Sequence, residues 1–180
     1  MNVLELFRDI HTLIFDVDGV LTDSNVLVLE DGKLLRRMSI RDGYALKTAV
    51  ESGLNVVVIT GGKSEGVKVR LQNLGIKNIY TGVRDKLDKY EEYLLLNDID
   101  SLEEAGILYM GDDLPDYEVM RRVGLPCCPR DAAQEIVNIS RYITTVNGGA
   151  GCAREVIEKI LKLQGKWFEE PQSLLGKIQR

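Results

Sequence analysis

His11 is the only histidine in the chain. Imidazole-dependent triads and histidine-clustered metal sites therefore have little to work with, and His11, preceding the first predicted strand, reads as a surface or loop residue. Cysteine is scarce too: Cys127 and Cys128 are adjacent and Cys152 is distant. That is a poor disulfide framework, suits a reducing compartment and lacks the spacing of a zinc site. There is no excess of positive charge; the net charge of -5 argues against nucleic acid, whose phosphates need a basic surface. No apolar run approaches the ~20 residues of a membrane span, and the charged, amphipathic start does not read as a signal peptide. No internal repeat or low-complexity segment is present. The expectation is a soluble, cytoplasmic protein with neither a membrane nor a nucleic-acid partner. At 180 residues the chain is long enough for one well-buried domain.

What the chain does have is organised around Leu13 to Thr22, an apolar run ending in two carboxylates. Leu13, Ile14 and Phe15 read as a strand buried on both faces, as in a parallel sheet. Asp16 and Asp18 are two apart, so both leave the strand on one side and can address a single point beyond its carboxyl end. Open α/β sheets bind ligands at that edge. Gly19 lets the backbone turn away after the second acid. Paired oxygen ligands there suggest magnesium and a phosphate, although such a pair standing alone also fits a solvated turn or helix cap.

Residues 1 to 11 form an amphipathic lead-in with Val3, Leu4 and Phe7 on one side, packing on the sheet edge. Asn25 to Leu29 and Lys33 to Ile40 are strand-like around the turn Glu30-Asp31-Gly32, a hairpin signal. Val26, Val28, Leu34 and Met38 are more apolar surface than a lone hairpin can hide, which points to another subunit. Arg36 and Arg37 read as an exposed or intersubunit strand face. Asp42 is a plausible N-cap for a helix to about Glu51, with Tyr44, Ala45, Ala49 and Val50 inward. Strands then follow at Leu54 to Ile59, Ile79 to Tyr80, Ile107 to Met110, Leu125 to Cys128 and Tyr142 to Ile143. Helices alternate with them from about Ser64, from Lys86, from after Asp116 to Val123 and from Ala132, and a last one carries Ala153, Val156, Ile157, Ile160 and Leu161 on one face. The pattern predicts a doubly wound parallel sheet of α/β class over residues 1–164, with the hairpin insert at about 23–40 and no room for a large cap domain. A tail, 165–180, carries Trp167, Phe168, Leu174 and Leu175 without a partner of its own.

In such a sheet all strand mouths open on one edge, bringing Asp16 and Asp18, Thr60, Lys86 and Asp112 with Asp113 together. These types complement one reaction. A carboxylate can attack phosphorus, a second can protonate the departing oxygen and later activate water, and lysine and threonine can hold the phosphoryl oxygens. Clustered aspartates without nitrogen or sulfur ligands favour magnesium over zinc.

Asp-Val-Asp-Gly-Val, Ile-Thr-Gly, the lysine near the third loop and Gly-Asp-Asp-x-x-Asp, in that order and spacing, resemble the four motifs of the haloacid dehalogenase superfamily of phosphohydrolases. The resemblance implies Asp16 as nucleophile and Asp18 as acid and base. It implies magnesium on Asp16, the backbone carbonyl of Asp18 and Asp112, with Asp113 and Asp116 in support and Asp116 orienting Lys86. Ser39-Ile40-Arg41-Asp42-Gly43-Tyr44, the hairpin and Gly148 to Glu155 further resemble the capless branch that hydrolyses 3-deoxy-D-manno-octulosonate 8-phosphate in lipopolysaccharide precursor synthesis. That likeness implies a homotetramer with active sites near subunit interfaces, and a sugar acid phosphate pocket lined by Asp18, Ser39, Ile40, Arg41, Asp42, Gly43, Lys47, Gly61, Arg70 and Lys86. In it Arg70 meets the sugar acid's carboxylate. Gly62 departs from the arginine many members of this branch carry there, and equally from the acidic residue common in the nonulosonate 9-phosphate phosphatases; a phosphatase for a nonulosonate 9-phosphate or another sugar phosphate is the alternative. A phosphate-receiving signalling domain fits less well, because no aspartate follows the strand ending near Tyr80 and Thr81. A scaffold without catalysis would need a broken motif, and none is broken.

Overall fold

The computed structural model describes residues 3–168. After helix α1 (Val3–Arg8) and strand β1 (Thr12–Phe15) come a hairpin, β2 (Leu27–Val28) and β3 (Leu34–Leu35), and helix α2 (Ile40–Glu51). Then follow β4 (Asn55–Ile59), α3 (Glu65–Asn73), β5 (Asn78–Tyr80), α4 (Lys86–Leu96), α5 (Ser101–Glu104), β6 (Ile107–Met110), α6 (Tyr117–Arg122), β7 (Leu125–Cys128), α7 (Gln134–Ile139), β8 (Tyr142–Ile143) and α8 (Cys152–Leu163). Six strands form a parallel sheet in the order β5-β4-β1-β6-β7-β8, and the hairpin pairs by itself. This is the doubly wound α/β architecture the alternating pattern predicts.

Every residue of β1 and β6 is buried, because helices cover both faces of the sheet. The alternation of side chains divides β1 between two cores. Leu13 and Phe15 pack with α2, α3 and α8, while Ile14 packs with Tyr90, Tyr93, Met120 and Ile136 from α4, α6 and α7. β1 lies between β4 and β6, with Ile14 opposite both Val57 and Tyr109. The chain fills one side of β1 first and then crosses to the other, so the crevice past the ends of β1 and β6 is the topological switch point.

Several local expectations change. The N-cap of α2 is Ser39, whose Oγ accepts from the Asp42 amide at 3.2 Å. Asp42 lies one turn on, where its Oδ1 accepts from the Arg154 amide at 2.7 Å and so caps α8 instead. The helix rotation that follows buries Leu46 and leaves Tyr44 outward, edge-on to Trp167 at 6.1 Å. In α1 only Phe7 is buried, edge-on to Tyr142 at 5.0 Å, and Leu4 is exposed. The four-residue α5, too short to show a period, was not anticipated; Asp100 and Glu103 close a capping box around it. The hairpin ladder is shorter than expected, and Met38 leaves it to pack on the first core while Val26, Leu27, Val28, Leu34 and Leu35 stay exposed. Trp167 packs against the same core; Leu174 and Leu175 lie outside the described residues. Among the described residues no helix is long and apolar enough to cross a membrane.

Candidate active site

Asp16 is the first residue past β1, and its amide extends the ladder by donating to the Met110 carbonyl at 3.0 Å. Both carboxylate oxygens are held: Oδ1 accepts from the Val17 amide at 2.6 Å and Oδ2 meets Lys86 Nζ at 2.8 Å. Lys86 opens α4, capped by Asp85, and its side chain is covered. Its ammonium also reaches Asp116 Oδ1 at 2.7 Å. Asp116 is fully occupied, since Oδ1 further accepts from Tyr109 Oη at 2.7 Å and Oδ2 from the Asp112 amide at 3.2 Å. That leaves Asp112, whose Oδ1 is buried without a partner.

Asp16, Asp112 and Asp116 offer oxygens within 4.8 Å of one another. Three carboxylates share one ammonium, and the imbalance shows in their protonation. Burial, then the charge of Asp116, pushes Asp16 up to about 6. Burial and the charges of Asp16 and Asp116 push Asp112 up to about 8. Burial opposes the Lys86 charge, yet Asp16 and Asp116 together hold its pKa above the usual lysine value. A hard divalent cation supplies the missing charge. An all-oxygen donor set with one orphaned oxygen fits magnesium, and Asp16 and Asp112 are the acids with capacity left to hold it.

The chain packs closely to achieve this. Gly19 has φ +91° and a Cβ there would lie 1.9 Å from Asp112 Oδ2, while a Cβ on Gly148 would lie 1.9 Å from the Gly19 carbonyl oxygen. Gly149 and Cys152 donate to the Val20 carbonyl at 2.9 and 3.1 Å. The glycine-rich entry to α8 therefore braces the Asp16–Thr22 turn.

Thr60, Gly61 and Gly62 follow β4 and, with Asp16, Asp18, Lys86 and Asp112, line a cavity of about 400 Å³. Asp113 is at its rim, capping the turn at Leu114. The Asp18 carboxylate faces Arg36, which donates from Nε to Oδ1 at 2.6 Å and from Nη2 to Oδ2 at 3.0 Å. This corrects the expectation of an exposed strand face for Arg36, although Arg37 does conform to it. No alternation marked it: β3 ends at Leu35, and Leu34, two residues before Arg36, is exposed. Tyr109 was also missed, because a tyrosine inside a buried strand carries no sequence mark of its partner.

A second cavity, of about 750 Å³, lies beside the first and is lined by Arg36, Met38, Lys63, Ser64 and Arg70 among others. Arg70 donates to the Ser39 carbonyl at 3.2 Å and crowds Gly43, where a Cβ would lie 2.8 Å from Nη2. Ser39, Gly43 and Arg70 thus come together. Four expected pocket residues do not join them. The Asp42 carboxylate is buried at α8, Ile40 is exposed, Arg41 lines a groove beside α8, and Lys47 pairs with Glu51 at 3.7 Å.

Acids at the switch point, a threonine after β4 and a lysine opening α4 make up the site, and the solved structures that superpose on this chain include a hydrolase of the haloacid dehalogenase superfamily, which places the fold in that superfamily. No protein-family model matches the chain. The 3-deoxy-D-manno-octulosonate 8-phosphate phosphatase of Escherichia coli strain K12 is 36% identical over 168 residues, 93% of this chain and 88% of that one. The crystal structure of the Yersinia pestis phosphatase of that name superposes with a TM-score of 0.86 at 35% identity, covering 92% of this chain and 88% of that one. The Moraxella catarrhalis structure, in complex with a magnesium ion, a phosphate ion and a KDO molecule, also gives 0.86, at 30% identity and 98% of both chains. This chain belongs to the 3-deoxy-D-manno-octulosonate 8-phosphate phosphatase family.

Proposed function

We propose that this protein hydrolyses 3-deoxy-D-manno-octulosonate 8-phosphate to the free sugar acid and phosphate, with magnesium, through an aspartyl-phosphate on Asp16. The observation that carries the reading is Asp16 itself, pinned at the switch point by Val17 and Lys86 beside an unpartnered Asp112 oxygen. An Asp16 carboxylate oxygen attacks phosphorus as the bond to the ester oxygen breaks, and the Asp18 carboxyl gives that oxygen its proton. Asp18, now the carboxylate, then takes a proton from the water that attacks the aspartyl-phosphate, which releases phosphate and restores Asp16. Lys86 and the Thr60 hydroxyl donate to phosphoryl oxygens, while Asp116 holds Lys86 in line. Magnesium, held by Asp16, Asp112 and the Asp18 carbonyl, offsets repulsion between anionic nucleophile and anionic substrate; Asp113 supports that loop.

The sugar acid extends past Gly61 toward Ser39, Gly43 and Arg70, where a guanidinium fork suits a carboxylate. Ile40, Arg41 and Lys47 face outward, which supports a role at a subunit boundary rather than in this chain's own cavity. The exposed apolar hairpin supports a homotetramer with the sites near its interfaces. Residues 1–164 act as one phosphohydrolase domain. The product class supports a place in lipopolysaccharide precursor synthesis in the cytoplasm.

The test is magnesium-dependent phosphate release from a panel of phosphorylated sugars and sugar acids, compared by kcat/KM. A strong preference for 3-deoxy-D-manno-octulosonate 8-phosphate is expected; a flat profile, or preference for a nonulosonate 9-phosphate, would overturn the substrate. Asp16→Asn is nearly isosteric and should abolish turnover while the folded protein persists; surviving turnover would remove Asp16 from the nucleophile role.

A further inference from the structure

Arg36 is the only partner of the Asp18 carboxylate among the described residues, and it comes from the return arm of the hairpin rather than from the sheet. We propose that Arg36 is a positioning residue for the reaction: its two-point ion pair fixes the Asp18 carboxylate, and Gly62 is the vacancy that admits the pair. The inference rests on the role given to Asp18 above.

Three observations carry it. The fork is nearly covered, with 7% of the Arg36 side chain exposed, whereas the neighbouring Arg37–Asp23 pair has an arginine that is 86% exposed and is an ordinary surface contact. Nη1 of Arg36 is buried without a partner, so no wider network accounts for drawing this side chain inward. Gly62 does not have a positive φ, so its backbone does not demand glycine. Space does: a Cβ there would lie 2.7 Å from Asp18 Oδ2 and 3.2 Å from Arg36 Nη2, wedged against the ion pair. Asp16 is held by a backbone amide and by Lys86, but Asp18 has no amide partner and without Arg36 would be free to rotate. A fork pairs two oxygens of the anion and fixes its plane, and the anion is the form that takes a proton from water in the second half of the reaction. Arg36 itself makes and breaks no bond.

Loss of the pair should therefore slow hydrolysis of the aspartyl-phosphate more than its formation. In Arg36→Ala, kcat on the sugar acid phosphate should fall on the order of 100-fold, and KM should fall with it because the phosphorylated chain accumulates. With p-nitrophenyl phosphate, whose leaving group needs no proton, rapid mixing should show a burst of p-nitrophenolate approaching about one per active site. Acid quenching should trap the phosphorylated chain. Arg36→Lys keeps the charge without the fork and should recover only part of kcat. Gly62→Ala leaves Arg36 in place and should give the same burst by displacing the pair. A raised KM with intact kcat, a fall in kcat without a burst, or unchanged kinetics in both Arg36→Ala and Gly62→Ala would overturn the inference while the phosphatase reading stands. Absence of turnover by the unaltered protein would remove that reading and the inference with it.

Discussion

Asp112 concentrates the chemistry of the site into one oxygen atom. Its Oδ1 is buried and unpaired, and its carboxyl is driven up to about 8 by burial and by Asp16 and Asp116. Magnesium should therefore stabilise the fold, by about 2.7 kcal/mol at 100 times its dissociation constant, read as a rise in Tm. In Asp112→Asn that rise should vanish while the metal-free protein becomes no less stable, because a carboxyl already held largely neutral is replaced by a neutral amide. An undiminished magnesium response in that variant would take Asp112 out of the metal site. Asp16, Thr60, Lys86 and Asp112 were legible in the sequence because each follows an apolar strand, and sheet geometry alone gathers strand ends. Arg36 was not. It reaches Asp18 from a segment outside the sheet, and only the folded path of the hairpin brings it there.

At the scale of elements, the junction of α2 and α8 turns on Asp42. Its Oδ1 caps α8 through the Arg154 amide, but Oδ2 is buried without a partner. Burial outweighs the hydrogen bond from the Arg154 amide and raises the Asp42 pKa above its usual value. The sign follows from linkage: between the unfolded and the raised folded pKa the folded chain binds more protons, so this group's contribution to stability is lost as pH rises through the folded value. Asp42→Asn keeps an accepting oxygen without the charge. In denaturant titrations its stability relative to the parent should improve from pH 3.5 to pH 7; a constant difference would show that the carboxyl is not strained by burial. Ser39 and Asp42 are both capping types three apart, so the sequence indicated a helix start there. Which of them caps α2 and which caps a helix over 100 residues away is a tertiary fact. The strands at Ile107–Met110 and Leu125–Cys128 were readable to the residue, since burial on both faces leaves continuous apolar runs; Tyr142–Ile143 also matched, although it is the edge strand and Ile143 is exposed.

At the scale of the whole molecule, the hairpin leaves apolar surface uncovered among the described residues. Leu27 and Val28 of β2 and Leu34 and Leu35 of β3 are all exposed on a hairpin too small to be stable by itself. Light scattering should give a mass several times that of one chain, and the pair Leu27→Lys and Leu35→Lys should reduce it. An unaltered protein that runs as a monomer at micromolar concentration would refute the association.

The strand order also has a temporal meaning. β1 leads into Asp16 and precedes both of its neighbours in the chain, which begin at Asn55 and Ile107. During synthesis the central strand, apolar on both faces, lacks its second neighbour until Ile107–Met110 has left the ribosome. Contacts this distant in sequence make folding slow. β1 is therefore open to aggregation until that point, and the nascent chain is where a chaperone would be needed most.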